Sequence, residues 1–157
     1  MEKENILDEL RSAKVAHLKW VQRAKSLISG MPIEKEAIPL DYTDCMFGKW
    51  FYSVGQEIAL MPGMTIMDSI GEKHTALHSI YFKIFQIYFG DQARSFFSKL
   101  LKMKKKVSSA EQEMAEQYYE ELESVSKELL DMIGRLERRI NALGEEFFKK
   151  SNSEGEA

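Results

Sequence analysis

The sequence predicts an all-α protein, a four-helix-bundle-like domain with a short cysteine-bearing helix and a long C-terminal helix. Three observations lead there. Apolar residues recur at steps of three and four in three long stretches, the signature of helices that bury one face. Glycine and proline fall between those stretches, at Gly30, Pro32, Pro62, Gly63 and Gly90. Two histidines, His74 and His78, stand one helical turn apart inside one of the apolar stripes.

The first element runs from about Asn5 to Ser29, with Ile6, Leu10, Ala13, His17, Trp20, Ala24 and Leu27 as its inner face. Gly30 and Pro32 end it, and the segment to Asp41, with Pro39 inside, reads as a loop over the bundle. Thr43 or Asp44 is the expected N-cap of a short helix extending to Gly55, with Cys45 in its first turn. A close backbone contact with a neighbouring helix would explain Gly48 there, because glycine is a poor helix former. Gln56 to Met61 adds a further turn before Pro62-Gly63. Thr65 with Asp68 then resembles a capping box for the helix that carries Met67, Ile70, His74, His78, Tyr81, Phe85 and Tyr88, and Gly90 stops it. Asp91 is expected to cap a further helix with Ala93, Phe96, Phe97, Leu100, Leu101 and Met103. Lys102, Lys104, Lys105 and Lys106 form a basic knot, as suits a solvated helix end. Ser108 or Ser109, with Glu111 and Gln112, restarts the pattern as the longest element, about 109–150, whose stripe is Tyr118, Leu122, Val125, Leu129, Met132, Leu136, Ile140, Leu143 and Phe147. A helix of some forty residues would extend about 60 Å and outrun a compact domain, which motivates a homodimer through its excess length.

With 157 residues, 44% of them hydrophobic, the chain can bury one good core, so a single domain over 1–150 with a disordered tail at 151–157 is expected. A net charge of −3, from 22 basic and 25 acidic residues, argues against nucleic acid as the main partner. No apolar run is long enough to span a bilayer and the N-terminus lacks a signal-type segment, so a cytoplasmic location is the expectation. One cysteine cannot form an internal disulfide.

Residues four apart on a helix sit roughly 5–6 Å apart at Cβ, so the rings of His74 and His78 can converge on one ion. A buried imidazole without a partner is costly, and two in one core call for a shared explanation. His17 interrupts a second inner stripe, and Cys45 starts the short helix; together these are every histidine and the one cysteine of the chain. Three imidazoles and one thiolate make a complete tetrahedral set for Zn²⁺. No carboxylate takes a convincing general-base position, since Glu72 is offset from the histidine face, and a closed four-ligand site leaves no position for water. The sequence therefore does not read as an enzyme.

The motifs His17-Leu18-Lys19-Trp20, Cys45-Met46-Phe47-Gly48-Lys49-Trp50 and His74-Thr75-Ala76-Leu77-His78 together resemble the chemoreceptor zinc-binding family. They span residues 17–78; the Gly90-Asp91 turn and the helix around 124–136 look like the rest of the family domain, while the stretch 95–123 is longer than the family pattern. The resemblance implies a helical bundle that binds zinc through His17, Cys45, His74 and His78, often beside chemoreceptor or diguanylate cyclase signalling domains in bacteria. No such output domain is present, so the chain is expected to be a free-standing sensor that acts on a partner or a module of a longer protein.

Two functions share these residues. One is a signalling module responding to zinc or to oxidation of Cys45, which would be the redox switch; the other is a structural, zinc-stapled dimerisation scaffold. A lone oxidisable thiolate among three histidines favours sensing.

Overall fold

The computed structural model describes residues 2–31, 41–90 and 106–148. Among these residues the chain is helical, with α1 at Lys3–Ile28, α2 at Met46–Phe51, α3 at Val54–Ala59, α4 at Ile66–Phe89 and α5 at Ser109–Ala142, followed by a 3₁₀ turn at Glu145–Phe147. The loop around Pro39, the helix expected after Asp91, Lys102, Lys104 and Lys105 of the basic knot, and the C-terminal tail lie outside the described residues.

Each expected inner position of α1 is buried, with Leu7 in addition. The helix ends where Gly30 takes φ +74°, a left-handed conformation that glycine adopts without steric cost. In α4 the whole expected stripe is buried, joined by Leu77, Ile80, Ile84 and Phe89, and Gly90 at φ +60° terminates it. Thr65 is the N-cap of α4 as expected, but its side chain makes no capping bond, because its backbone is already in the right-handed helical region. At α5 the capping box is complete: Ser108 Oγ accepts from Glu111 N–H at 3.2 Å and the Glu111 carboxylate accepts from Ser108 N–H at 2.8 Å.

Polar clamps at both ends of the bundle reveal its topology. Lys3 Nζ donates to the carbonyls of Asn141 and Leu143, 2.8 Å each, so the start of α1 meets the end of α5. At the other end Gln112 donates to Ile28 O at 3.0 Å and accepts from Tyr88 Oη at 2.8 Å. Arg139 reaches Gly63 O at 2.6 Å. Thus α1 and α4 run parallel, and α5 runs antiparallel along both. Parallel helices need a crossover, and the segment that supplies it carries α2 and α3.

Two expectations for α5 change. Its buried residues are Ala115, Leu122, Ser126, Leu129, Ile133, Leu136 and Ile140, so Val125 and Met132 sit at the flank of the buried face rather than at its centre. Phe148, not Phe147, is buried, because the helix ends at Ala142 and the turn beyond Gly144 breaks the phase. The buried span from Ala115 to Ile140 covers about 38 Å, matching the roughly 39 Å of α1. The apolar face of α5 is therefore used within its own bundle, while the whole helix, at about 51 Å, still outruns α1 and α4.

Candidate metal centre

Because α1 and α4 run parallel and in contact, an inner position midway along α1 comes level with inner positions one turn apart on α4. His17 thereby meets His74 and His78: the His17 and His74 rings lie 5.2 Å apart edge-to-face, and those of His74 and His78 lie 4.7 Å apart. All three are buried. One ring nitrogen from each falls within 4.8 Å of the others.

The local bonding of His17 fixes its tautomer. Nδ1 lies 2.6 Å from the Ala13 carbonyl one turn earlier. A carbonyl only accepts, so Nδ1 carries the proton and Nε2 keeps its lone pair. That Nε2 is buried and has no hydrogen-bond partner. A metal-ligating histidine has this arrangement, with one nitrogen held by a backbone acceptor and the other presented inward. Asp68, on the same helix as His74 and His78, lines a groove on another side of α4.

Cys45 joins through His74. Its Sγ is 3.3 Å from His74 Nε2, near the roughly 3.6 Å that separates sulfur and nitrogen ligands around tetrahedral zinc. The expectation that Cys45 lies within the first helical turn is corrected: Cys45 is itself the N-cap of α2, in extended conformation, and Sγ accepts from Gly48 N–H at 3.1 Å. A side chain that accepts from the third helical N–H performs the task usually given to serine or aspartate.

Gly48 is required by this turn rather than by a neighbouring helix. A Cβ there would lie 2.9 Å from the Tyr42 carbonyl carbon, closer still to its oxygen, and 3.3 Å from Cys45 Sγ. The two motif aromatics also acquire roles. Trp20, one turn beyond His17, covers His78 edge-on at 4.3 Å, and Trp50 rests on Phe47 at 5.7 Å. Phe47 in turn meets His17 at 5.4 Å and His74 at 5.0 Å, both edge-to-face.

Burial governs the protonation of the site. It lowers the pKa of His17, with the Ala13 bond opposing, and drives His74 down to about 2, assisted by His78 and His17. Neutral imidazoles with available lone pairs follow, as ligation demands. Burial also pushes the Cys45 thiol up, against the backbone N–H groups of Gly48 and Phe47 and the charge of Lys49. Desolvation thus outweighs those donors, and a metal cation would supply the missing charge.

The donor set thus fits a zinc ion on three counts: an inward lone pair on His17, neutral imidazoles, and a sulfur at ligand spacing from His74. Sequence reasoning missed the Ala13 carbonyl, which accepts from His17 Nδ1, and the Tyr42 carbonyl, 3.5 Å from Cys45 Sγ, since backbone acceptors leave no mark on residue type. Among the described residues no helix is long and apolar enough to cross a membrane.

No curated protein and no solved structure matches this chain. The family model of the chemoreceptor zinc-binding domain matches residues 17–85, ending short of Gly90 and of α5. The segment that contains the three histidines gathered here, His74-adjacent Cys45 and all three motifs, residues 17–85, thus matches the chemoreceptor zinc-binding domain, a family named for binding zinc.

Proposed function

We propose that His17, Cys45, His74 and His78 hold one zinc ion and that the chain is a signalling module whose input is zinc level or oxidation of Cys45. The observation that carries this reading is the buried, unbonded Nε2 of His17, held inward by the Ala13 bond beside His74 and His78. When bound, zinc supplies the positive charge that keeps Cys45 ionised in a buried setting. The chain's own part is to present neutral imidazoles, to exclude water with Trp20 and Phe47, and to hold Sγ at the start of α2 through the Gly48 N–H.

For the redox input, the Cys45 thiolate attacks one oxygen of hydrogen peroxide, the O–O bond breaks, hydroxide leaves, and sulfenic acid remains. Sulfur then no longer ligates, and α2 loses its tie to His74. The output passes to a partner, either a second copy of the chain or a chemoreceptor or diguanylate cyclase signalling protein. A structural zinc staple is the second reading, favoured by the depth of the site beneath aromatic rings.

Native mass spectrometry of the purified protein tests the metal, with one zinc per chain expected. Titration with a chelator and then with peroxide, following helix content and partner binding, separates the readings: a staple unfolds or stays silent, whereas a sensor changes its binding while folded. A protein free of zinc after growth in zinc-replete medium, and unable to take it up, refutes both.

A further inference from the structure

We propose that the open groove between α4 and the α2–α3 pair is the docking site for a basic amphipathic helix of a partner protein. This inference deepens the signalling reading by naming the surface through which the metal centre is read. The groove holds about 940 Å³. Its floor is apolar, formed by Phe51, Met67, Ala59 and Ala76, and the charged side chains that line it are Asp68 and Glu72. Both carboxylates are exposed, and neither has an ion-pair partner among the described residues. They stand one turn apart on α4, so cations one turn apart on a partner helix match them.

A helix fits better than an extended segment. The long α4 wall is a helix whose backbone groups are bonded internally, and no strand edge borders the groove among the described residues, so a strand laid in it would find no ladder for its own N–H and C=O groups. The α4 wall runs from Asp68 to Ser79, about 16 Å, or three turns of a partner helix.

The opposite wall is connected to the metal centre. Phe51 of α2 lies against Gly71 of α4, where an added Cβ would come within 3.2 Å of its ring. Phe51 meets Phe47 with tilted rings at 5.5 Å, and Phe47 stands edge-on to His74 at 5.0 Å. Because α2 starts at Cys45, a change in what Cys45 binds moves one wall of the groove and leaves the other fixed.

The test uses the whole protein and two fluorescent synthetic peptides, each a helix of about eighteen residues with an alanine-leucine face: one carries lysine at i and i+4 beside that face, the other glutamate. Anisotropy titration of the zinc-loaded protein should show the lysine peptide binding at least tenfold tighter than the glutamate peptide. The double variant Asp68→Lys, Glu72→Lys, altered at exposed positions, should invert the preference while zinc content and circular dichroism stay unchanged. Thr75→Trp, which fills the groove without changing charge, should weaken both peptides. Equal affinities for the two peptides, or a preference that survives the charge reversal, overturn the proposal. Sedimentation in which charge reversal dissolves a dimer also overturns it, assigning the groove to a second copy. Zinc content by mass spectrometry is measured on the same samples, so failure of the metal reading is seen separately from failure of the docking surface.

Discussion

Gly48→Ala sets two effects against each other. In a helix interior alanine is favoured over glycine by about 1 kcal/mol, so propensity alone predicts a more stable protein. The structure predicts the reverse. The new methyl would sit 2.9 Å from the Tyr42 carbonyl carbon, with the carbonyl oxygen nearer, and neither atom belongs to a flexible side-chain end. Relief requires the turn 42–45 to move, and overpacking that shifts backbone costs about 1–3 kcal/mol. Net destabilisation of the metal-free protein should be about 0–2 kcal/mol.

The larger effect falls on the metal. The moving turn carries Cys45, whose Sγ sits 3.3 Å from His74 Nε2, lies 3.5 Å from the Tyr42 carbonyl and accepts from the N–H of residue 48 itself. Loss of a group that orients a ligand typically costs roughly 10–100-fold in metal affinity. Competition with a zinc chelator, run alongside thermal melts with and without zinc, measures both quantities. In a double-mutant cycle with Cys45→Ala the two losses should be far from additive, since both act on the same sulfur. A Gly48→Ala protein that is more stable without metal and binds zinc as tightly as the parent would falsify the argument that this glycine seats Cys45.

Other substitutions separate packing from ligation. Cys45→Ala should weaken zinc without abolishing binding, because three imidazoles remain, and calorimetry that finds no binding at all contradicts this. His74→Leu should remove zinc-dependent stabilisation while raising the stability of the metal-free protein, since Nδ1 of His74 is buried without a hydrogen bond and an apolar side chain removes that cost of about 1–3 kcal/mol; a lower metal-free melting temperature would count against it. For pH, His17 and His74 have folded pKa values below the unfolded 6.5, so the unfolded chain binds more protons, and stability present above pH 6.5 is lost as pH falls. Between pH 6 and 4.5 the metal-free protein should lose up to about 1.4 kcal/mol per pH unit through His74, with His17 adding to the loss in the same direction, measured by urea denaturation, and a flat profile refutes it. Lys3→Met removes the two bonds to the last carbonyls of α5 and should cost about 0.5–1.5 kcal/mol, with amide exchange near residues 139–143 accelerating.

The inner stripes of α1 and α4 were legible because burial on a helix has a period that residue type reports directly, and His17, His74 and His78 were visible as polar residues in positions that period reserves for apolar ones. α5 was read one residue out of phase at Val125 and Met132. The buried residues Leu122, Ser126, Leu129, Ile133, Leu136 and Ile140 keep the same alternation of four and three, but with the opposite step after Leu122 and Leu129, and a polar Ser126 beside Val125 and an apolar Met132 beside Ile133 leave residue type unable to tell the two faces apart. The cap formed by Cys45 was misplaced by one residue for a different reason. Serine, threonine and aspartate are the usual N-caps, so Thr43 and Asp44 drew the assignment, while a sulfur acceptor gives no such signal.

The site lies between elements of unequal security, and this decides what a change of ligand can move. Helices α1, α4 and α5 share a continuous apolar core and are clamped at both ends by Lys3, Gln112 and Arg139. Helix α2 has six residues, too few to be stable alone in water. It is held by Phe47 and Phe51, by the Cys45 cap, and by the sulfur's approach to His74. Removing a ligand from the histidine side would open a hole in a core that cannot rearrange cheaply, whereas releasing the sulfur frees a short helix at the margin of that core. A mechanical response to zinc or oxidant must therefore pass through α2, and amide exchange should show protection in residues 45–52 changing with zinc while the centres of α1, α4 and α5 stay constant. Exchange that changes uniformly across all helices would instead mean that zinc stabilises the fold as a unit and signals nothing locally.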